Sequence, residues 1–378
     1  MTKADTGKAP QVFDFAGIPL PWDRWAESIG IPIHRGHHVP DLRTVELGWW
    51  EERRCMSAFI ELAGQEGICE GRITEIAPGG TLPAMSIAVD ELVYVLSGHG
   101  ATTVWSGNGA KKVFEWQPHS LFVVPRYAQR SFANLSGGAP VRLLHYSYLP
   151  LAMCAVPEPE FFFQTFDRPD VLYGAEFYSE ASQTVRAAPG HDQTVRMRTY
   201  WSGNFFPDMG AWDRVEENYG RGAGGTSVRI RFPGSELTCH MSVFDSRLYK
   251  KAHRHGPGRI IVIPAGEGYS VMWEEGQEKI VIPWQEGSLL VPPNRWFHQH
   301  FNAGGTPARY LALHPPRHFG GYAERIEDRA KDQIEYTDED PFVRQTFEEE
   351  LGKRGLTSLM PERAYREPRW QWSPGETS

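Results

Sequence analysis

Short runs of β-branched and aromatic residues, separated by glycine and proline, fill most of the chain between positions 45 and 316. In the first half they predict strands at Ile68–Ile76, Glu91–Leu96, Ala101–Trp105, Ser120–Val124 and Val141–Tyr148. In the second half they predict strands at Ser227–Phe232, Leu237–Phe244, Arg259–Pro264, Tyr269–Trp273, Lys279–Pro283, Ser288–Val291 and Tyr310–Leu313. Many short strands with frequent turns are typical of a sandwich or barrel, so the pattern predicts an all-β fold.

Two segments near the C-terminus have helical periodicity instead. Tyr322–Ile334 and Pro341–Arg354 place apolar residues at helical spacing among Glu, Lys, Arg and Ala, which predicts two exposed amphipathic helices. They would form a tail that packs on a barrel or on a second subunit. Between the two strand-rich regions, residues 151–225 are less regular and contain several prolines, which predicts a connection ending in the glycine-rich run Arg221–Gly225.

The two strand-rich regions resemble each other in sequence. Glu91–Gly98 aligns with Arg259–Gly266, and Ser120–Pro125 aligns with Ser288–Pro293. An asparagine follows the proline at the same distance in both, as Asn134 and Asn302. Such internal similarity indicates a duplicated unit. We therefore expect an N-terminal extension (1–45), a first barrel (46–150), a connection (151–225), a second barrel (226–316) and a helical tail (317–378).

Charge and cysteine content narrow the classes of protein. The chain of 378 residues has a formal net charge of −8 and no long basic run, which disfavours a nucleic-acid partner. No apolar stretch has the length of a membrane span, and the N-terminus lacks the apolar core of a signal peptide, so we expect a cytoplasmic protein without a membrane partner. The four cysteines show no CxxC spacing and are predicted to be buried thiols.

The repeats resemble the two motifs of the cupin superfamily. The first motif there is His-x-His followed by Glu and Gly, and the second runs Gly, Pro-x-Gly, His and Asn. In the second repeat the matching residues are His253, His255, Gly266, Gly287, Pro293, His298 and Asn302, with Arg295 at the usual Gly. The resemblance implies a bicupin, with two double-stranded β-helix (jelly-roll) barrels and a short helical C-terminal extension. It also implies a metal site at His253, His255 and His298.

The first repeat keeps the frame of these motifs but not the ligands. Glu91 and Gly98 stand where expected, whereas Met85, Ile87 and Arg130 occupy the three histidine positions. Thioether, alkyl and guanidinium groups do not form a divalent metal site with one carboxylate. The first barrel is therefore predicted to lack a metal, with Glu91 paired to Arg130 inside it.

The second repeat carries Arg259 where many cupins have a glutamate ligand. A guanidinium group cannot ligate a cation, so the site is expected to have three histidine ligands, with Fe(II) as the metal and Mn(II), Ni(II) or Zn(II) as alternatives. His253 and His255 are two residues apart and share one face of a strand. Arg259 either faces a substrate carboxylate or phenolate, or turns outward to an acid such as Glu267.

The runs Lys251–His255 and Gly287–Asn302 resemble more closely those of gentisate 1,2-dioxygenases and their salicylate-cleaving relatives. This resemblance implies a non-haem Fe(II) dioxygenase, an oxidoreductase that uses O2 to cleave a carbon–carbon bond in a hydroxylated aromatic acid or a similar chelating anion. It places Trp296 and His300 beside the substrate, where they join Arg259 as candidate catalytic residues. The predicted partners are that small anion, O2 and further copies of the chain, with a role in the degradation of aromatic compounds.

Other interpretations stay open at this point. A different metal-dependent cupin enzyme, such as a decarboxylase, lyase or thiol oxidase, has the same ligands, and so does a bicupin that binds a small anion without catalysis. The early cluster His34, His37 and His38 is a rival metal site whose geometry nothing in the sequence fixes. Trp273 and Phe301 are either walls of a substrate pocket or barrel core.

Overall fold

The computed structural model describes residues 19–107, 109–166, 168, 172, 177–179, 181–187, 197–217, 221–316, 330–368, 370 and 372. Helix α1 (Pro21–Ile29) precedes the strands of the first half. These strands are β1 (Ile33–Gly36), β2 (His38–Val39), β3 (Gly48–Trp50), β4 (Cys55–Leu62), β5 (Glu70–Ile76), β6 (Met85–Ser86), β7 (Glu91–Ser97), β8 (Gly100–Trp105), β9 (Lys112–Trp116), β10 (Leu121–Val124), β11 (Gln129–Asn134) and β12 (Val141–Ser147).

Two short helices, α2 (Leu149–Ala155) and α3 (Pro159–Phe163), lead into the second half. Its strands are β13 (Ser182–Ala187), β14 (Met197–Ser202), β15 (Phe205–Phe206), β16 (Glu216–Glu217), β17 (Thr226–Arg231), β18 (Thr238–Phe244), β19 (Ile260–Ala265), β20 (Glu267–Trp273), β21 (Ile280–Gln285), β22 (Leu289–Leu290), β23 (Phe297–Asn302) and β24 (Ala308–His314). The described tail contains helix α4 (Pro341–Gly352) and 3-10 helices at Ala330–Asp332, Tyr336–Asp338 and Glu362–Tyr365.

The strands form two barrels, each made of a large and a small sheet. The first barrel pairs the order β1-β4-β5-β12-β7-β10-β15, with β3 on β4, against β6-β11-β8-β9. The second pairs β13-β14-β17-β18-β24-β19-β22-β2, with β16 on β17, against β21-β20-β23. The predicted all-β class with two barrels is therefore confirmed. Strands β4 and β11 were not among those predicted, and the predicted strands are displaced by a few residues at their ends.

The barrels exchange edge strands. Strand β2 of the N-terminal segment pairs with β22, so that His38 lies opposite Leu290 in the second barrel. In the other direction, β15 pairs with β10, and Phe206 lies opposite Leu121 in the first barrel. Each barrel is thus completed by a strand that lies outside its predicted sequence range. The predicted division of the chain into domains stays a prediction.

Side chains alternate between the barrel interiors and the contact between the barrels. On β7, Leu92 belongs to the apolar cluster shared by both large sheets, whereas Val93 belongs to the interior cluster of the first barrel. On β19, Ile260 faces the shared cluster and Ile261 the interior of the second barrel. This period of two is what a strand in a closed barrel requires. Each fully buried aliphatic side chain contributes about 1.5–3 kcal/mol.

The asparagines at the matching positions of the two repeats make equivalent hydrogen bonds, which supports duplication. Asn134 Nδ2 donates to the Ala139 carbonyl oxygen at 2.9 Å, and Asn302 Nδ2 donates to that of Thr306 at 2.8 Å. Both amides also bond the carbonyl at the end of the equivalent strand, β5 in one barrel and β18 in the other. Each asparagine thus ties a loop to the end of a strand in its own barrel.

The C-terminal tail covers the small sheet of the second barrel. Prediction of a helix at Pro341–Arg354 is confirmed by α4, which begins where the Asp340 carboxylate accepts from the Phe342 amide at 2.9 Å. Its Val343, Phe347 and Leu351 are buried at helical spacing, although an exposed helix was expected. The other predicted helix, Tyr322–Ile334, lies largely outside the described residues. No described helix is both long and apolar enough to cross a membrane.

A buried carboxyl group fastens this tail to the barrel. Glu339 accepts hydrogen bonds from the Tyr249 hydroxyl and, at 3.0 Å, from Gln299 Nε2 on β23. Burial raises the pKa of Glu339 from 4.5 to about 7, against the opposing effect of these two hydrogen bonds. The folded chain therefore retains a proton there between pH 4.5 and 7 that the unfolded chain has lost.

Glu339 is expected to make the protein less stable as the pH rises from about 4.5 to 7, by up to about 3 kcal/mol. Glu339→Gln, which resembles the protonated carboxyl group, should remove this part of the pH dependence in urea unfolding measured between those values. Glu349→Gln on the exposed face of α4 is the control and should keep it. An unchanged pH profile in Glu339→Gln would show that the carboxyl group titrates normally.

Candidate metal centre

The three histidines meet because two segments of the second barrel pair at a single bridge. His253 and His298 lie opposite each other, and their backbone amides and carbonyls exchange hydrogen bonds of 3.0 and 2.8 Å. His255 is two residues further on, so its side chain leaves the same face as that of His253. The glycines at 256 and 258 and Pro257 then break the extended segment before β19 begins.

The geometry of the three imidazoles fits a metal site. One ligand nitrogen from each of His253, His255 and His298 lies within 4.8 Å of the others. The ring centroids are 4.2 Å apart for His253 and His298 and 4.6 Å apart for His255 and His298. His255 and His298 are almost completely buried, with exposed fractions of 4% and 1%. The structure thus brings the three predicted ligands together.

Backbone carbonyls orient two of these rings. His255 Nδ1 lies 2.7 Å from the Gly256 carbonyl oxygen, and His298 Nδ1 lies 3.2 Å from that of Trp296. A carbonyl can only accept, so both Nδ1 atoms carry the proton and both Nε2 atoms keep a lone pair. His253 Nδ1 is buried without a hydrogen-bond partner among the described residues. Two oriented lone pairs and one unsatisfied buried nitrogen are what a divalent metal would complete.

The histidines are neutral, as ligands must be. Burial lowers the pKa of His298 to about 3, and the carbonyl of Trp296 opposes this only in part. Burial also lowers the pKa values of His253 and His255 well below 6.5. No proton has to be displaced at neutral pH when a metal binds, so this donor set is ready for a cation.

Arg259 lies inside the barrel, which decides between the two orientations that the sequence left open. Arg259 is only 4% exposed. It precedes the interior residues Ile261 and Ile263 by two and four positions, so its side chain leaves the same face of the extended chain as theirs. After burial, the charge of Arg259 is the next largest cause of the low pKa of His255. The guanidinium group therefore acts on the histidine triad rather than facing solvent, whereas Glu267 is exposed.

His300 is also buried inside the second barrel, next to the triad. Its ring centroid lies 5.6 Å from that of His298, and its Nδ1 lies 2.7 Å from Ser270 Oγ on the neighbouring strand. Ser270 Oγ in turn accepts from Trp284 Nε1 at 3.0 Å. The hydroxyl retains its proton and a second lone pair, so it can either donate to or accept from His300 Nδ1, and in both cases the bond holds the imidazole ring in place.

Sequence reasoning missed a buried lysine beside this histidine. Lys250 is 2% exposed, and its Nζ lies 5.0 Å from the ring centroid of Tyr310, which is itself 4.8 Å from that of His300. Burial lowers the pKa of Lys250, while Tyr310 opposes this change. A lysine at the start of an irregular segment carries no sequence signal of burial, so only the structure places it here.

Trp296 and the early histidine cluster meet at the edge of the second barrel. The Trp296 ring is partly buried and lies 5.8 Å from that of His37, while its backbone carbonyl holds His298. His34 Nε2 bonds the Glu46 carbonyl oxygen at 2.8 Å. Among the described residues, the only group of three or more possible ligands that meets is the triad, so His34, His37 and His38 do not form the rival site.

The other candidate pocket walls have different surroundings. Phe301 stacks between Tyr269, at 4.5 Å, and Tyr249, at 4.8 Å, on the face of the sheet that the tail covers. Phe301 is therefore core rather than pocket wall. Trp273 stacks on Phe297 at 5.6 Å in the same layer.

In the first barrel, a group of charged side chains is buried around Glu91. The Glu91 carboxylate accepts from Arg130 at 3.1 Å, which confirms the predicted pair, and also from Arg72, which was not predicted. Burial alone would raise the pKa of Glu91, but the positive charges of its neighbours hold it well below 4.5. His145 counts among these only when protonated, and burial lowers its pKa, so the two arginines have this effect at neutral pH.

Comparison with known proteins gives matches to structures only. No family model and no curated protein match the chain. A deletion mutant of Bacillus subtilis oxalate decarboxylase is 11% identical, with a TM-score of 0.47 over 74% of this chain and 77% of that chain. A formate complex of Lactobacillus farciminis oxalate decarboxylase is 13% identical, with a TM-score of 0.48 over 76% and 88%. A Bacillus subtilis oxalate decarboxylase studied for its Mn(II) centres is 12% identical, with a TM-score of 0.45 over 76% and 78%.

These matches correct the predicted reaction. They contradict the prediction of an O2-using dioxygenase, because the matched proteins are oxalate decarboxylases and point to a different reaction. They agree with a bicupin but not with the closer resemblance to gentisate dioxygenases. At identities of 11–13% and TM-scores below 0.5, they carry no argument about the substrate of this chain.

Metal content should depend on the second barrel alone. We expect close to one divalent ion per chain in protein reconstituted anaerobically with Fe(II), measured by plasma mass spectrometry. His255→Ala should lose this ion, because two imidazoles leave too few ligands. His145→Ala, a buried histidine of the first barrel, is the matched control and should retain it. Stoichiometric metal in His255→Ala would remove the triad as the ligand set.

Proposed function

We propose that this protein is a metal-dependent cupin enzyme that acts on a small, chelating, anionic substrate in its second barrel. The observation that carries the proposal is the burial of Arg259 beside three neutral imidazoles. The planar guanidinium fork of Arg259 matches the two oxygens of a carboxylate, so an arginine at this place would orient an anionic substrate beside the metal ligands. The roles of all six site residues given below are part of this proposal.

The charge balance of the site favours a substrate with at least one carboxylate. Neutral ligands leave the full charge of a divalent ion uncompensated, and Arg259 and Arg221 add positive charge near His298. The guanidinium fork matches two carboxylate oxygens, which fixes the plane of the group as well as its position. A chelating second oxygen would then reach the ligand set of His253, His255 and His298.

We further propose a decarboxylation or related lyase reaction. A divalent metal bound to the triad would polarise a substrate oxygen as a Lewis acid. Arg259 holds the anion, and the carbon–carbon bond to a carboxylate breaks with release of CO2, leaving its electron pair on the neighbouring carbon. His300 takes a proton from water and transfers it to that carbon, and the hydrogen bond between its Nδ1 and Ser270 Oγ keeps its ring in place. Trp296 closes the rim of the site and excludes water.

The donor set disfavours one of the four candidate metals. Imidazole suits iron, nickel and zinc, whereas Mn(II) prefers carboxylate and water oxygen. The position that would supply a carboxylate is Arg259, so the all-nitrogen set suits Fe(II), Ni(II) or Zn(II) and makes Mn(II) the weakest of the four ions considered.

The proposal is tested by turnover of the metal-loaded protein against small keto acids, dicarboxylic acids and hydroxybenzoates. CO2 release is measured with and without O2 in the same vessel. We expect equal CO2 release under both conditions and loss of release in His255→Ala. A substrate that raises the unfolding temperature but is never turned over would make the barrel a binding site and refute the enzyme.

Arg259→Met should lower kcat/KM about a hundredfold, because one charge-assisted bidentate contact is lost. Arg259→Lys should recover only part of this, since it restores the charge but not the fork. Metal content should stay unchanged in both variants. Arg354→Met at the exposed end of α4 is the matched control and should retain full activity. Equal activity in Arg259→Met would show that the arginine has only a structural role.

A further inference from the structure

The first barrel contains a second group of buried polar side chains that metal binding does not explain. It consists of Trp50, Arg53, Arg72, Arg130 and His145, and we call it the arginine cluster. Each of these side chains has a buried nitrogen without a hydrogen-bond partner among the described residues: Nε1 of Trp50, Nε of the three arginines and both ring nitrogens of His145. Unsatisfied buried donors are costly, and so many at one place indicate a missing acceptor.

The geometry places these groups around one point. The guanidinium carbons of Arg53 and Arg72 lie 5.4 and 5.8 Å from the ring centroid of Trp50. Arg72 and Arg130 both bind Glu91, and Arg72 lies directly opposite His145 in the pairing of β5 with β12. The cluster therefore lies inside the first barrel around Glu91, and it includes Arg130, which aligns with the ligand candidate His298 of the second barrel.

The charges of the cluster do not cancel. Three guanidinium groups face two buried carboxylates, Glu91 and Glu70, which leaves at least one positive charge uncompensated among the described residues. The Arg72 Nε atom lies 3.9 Å from Glu70, beyond the reach of a hydrogen bond. His145 Nδ1 lies 3.3 Å from Glu91 without the geometry of a hydrogen bond. Neither carboxylate, therefore, satisfies the free donors.

We propose that the arginine cluster is a binding site for a small monovalent carboxylate anion. The free Nε–H of an arginine, together with a neighbouring Nη–H, forms the edge that holds two oxygens of a planar carboxylate. One uncompensated charge matches a monoanion better than a phosphate dianion. Arg53 is only partly buried and packs against Phe163 of α3 at 5.2 Å, so it gives the cluster a side that reaches the surface. This site lies in the other barrel and does not depend on the function proposed above.

The test uses the full-length protein and sodium acetate as the probe, titrated calorimetrically at constant ionic strength. Arg53→Gln should weaken acetate binding about ten- to hundredfold, the loss expected for one charge-assisted contact. Arg54→Gln removes the same charge from the neighbouring exposed residue and should bind acetate like the native chain. Arg53→Lys, which keeps the charge but not the fork, should fall between the two.

Stability measurements separate binding from a structural role. Burial lowers the pKa of Arg53 to about 10, and the charges of Arg72 and Arg130 contribute to this, so the three arginines repel one another. In acetate-free buffer, Arg53→Gln should be as stable as the native chain or more stable, and acetate should no longer raise its unfolding temperature. A variant that is less stable in acetate-free buffer yet still stabilised by acetate would overturn the proposal.

The second barrel provides the remaining control, because Arg259 there is also a candidate anion ligand. Acetate affinity should be unchanged in Arg259→Met if the titrated site is the arginine cluster. Loss of acetate binding in Arg259→Met with retention in Arg53→Gln would place the anion in the second barrel and refute the proposal. Absence of acetate binding to the native chain would refute it as well.

Discussion

The interior of a small closed barrel tolerates a polar group only if that group is neutral, paired or ligated, and both halves of this chain are organised by that constraint. Removing an unpaired charge from water costs several kcal/mol even after relaxation. The second barrel meets the constraint with imidazoles whose pKa values burial lowers until they are neutral, to about 3 for His298. The first meets it with Glu91, whose carboxylate is bound by Arg72 and Arg130.

These two solutions explain why a duplicated fold carries two different interiors. In both barrels the same strand alternation directs the residue at the aligned position inward, Glu91 in one and Arg259 in the other. Because these two side chains have charges of opposite sign, the side chains that surround them differ as well. Around the Glu91 carboxylate, the neighbouring charged side chains are Arg72 and Arg130. Around the Arg259 guanidinium group, the neighbouring histidines have pKa values that burial lowers, so they stay uncharged.

Two segments that are distant in sequence from the second barrel, one N-terminal and one C-terminal, pack around it. Strand β2, from the N-terminal segment, completes the large sheet of the second barrel, and the tail covers its small sheet. Covering the outer face with α4 makes every residue of β23 buried, including Gln299 between His298 and His300. The residues of this strand are then buried on both faces of the barrel wall, and burial strengthens the electrostatic effects on the histidines. Helix α4 therefore affects the site without touching it.

The sequence predicts those features that depend on spacing, and misses those that depend on closure of the sheets. Strand period, duplication and the His253–His255 pair are local patterns, and the structure contains all of them. Burial of Lys250, the Arg72–Glu91 pair and the exchange of β2 and β15 depend on which strands become neighbours, and no local pattern encodes that. Arg295 is an intermediate case: it stands at a motif position usually held by glycine, and its φ of 62° explains that preference.

The reaction was the least predictable feature, for a physical reason. A ligand set of three imidazoles specifies a cation, and an inward-facing arginine specifies an anion, but neither specifies which bond of the anion is broken. That choice depends on where a proton can be delivered and on whether water reaches the substrate. His300, held through Ser270 by Trp284, is the group that could control proton delivery here. Its position results from cross-strand pairing of β20 with β23, in which Ser270 lies directly opposite His300. The proton delivery that we propose for the second barrel therefore depends on a pair of residues that the sequence separates by thirty positions.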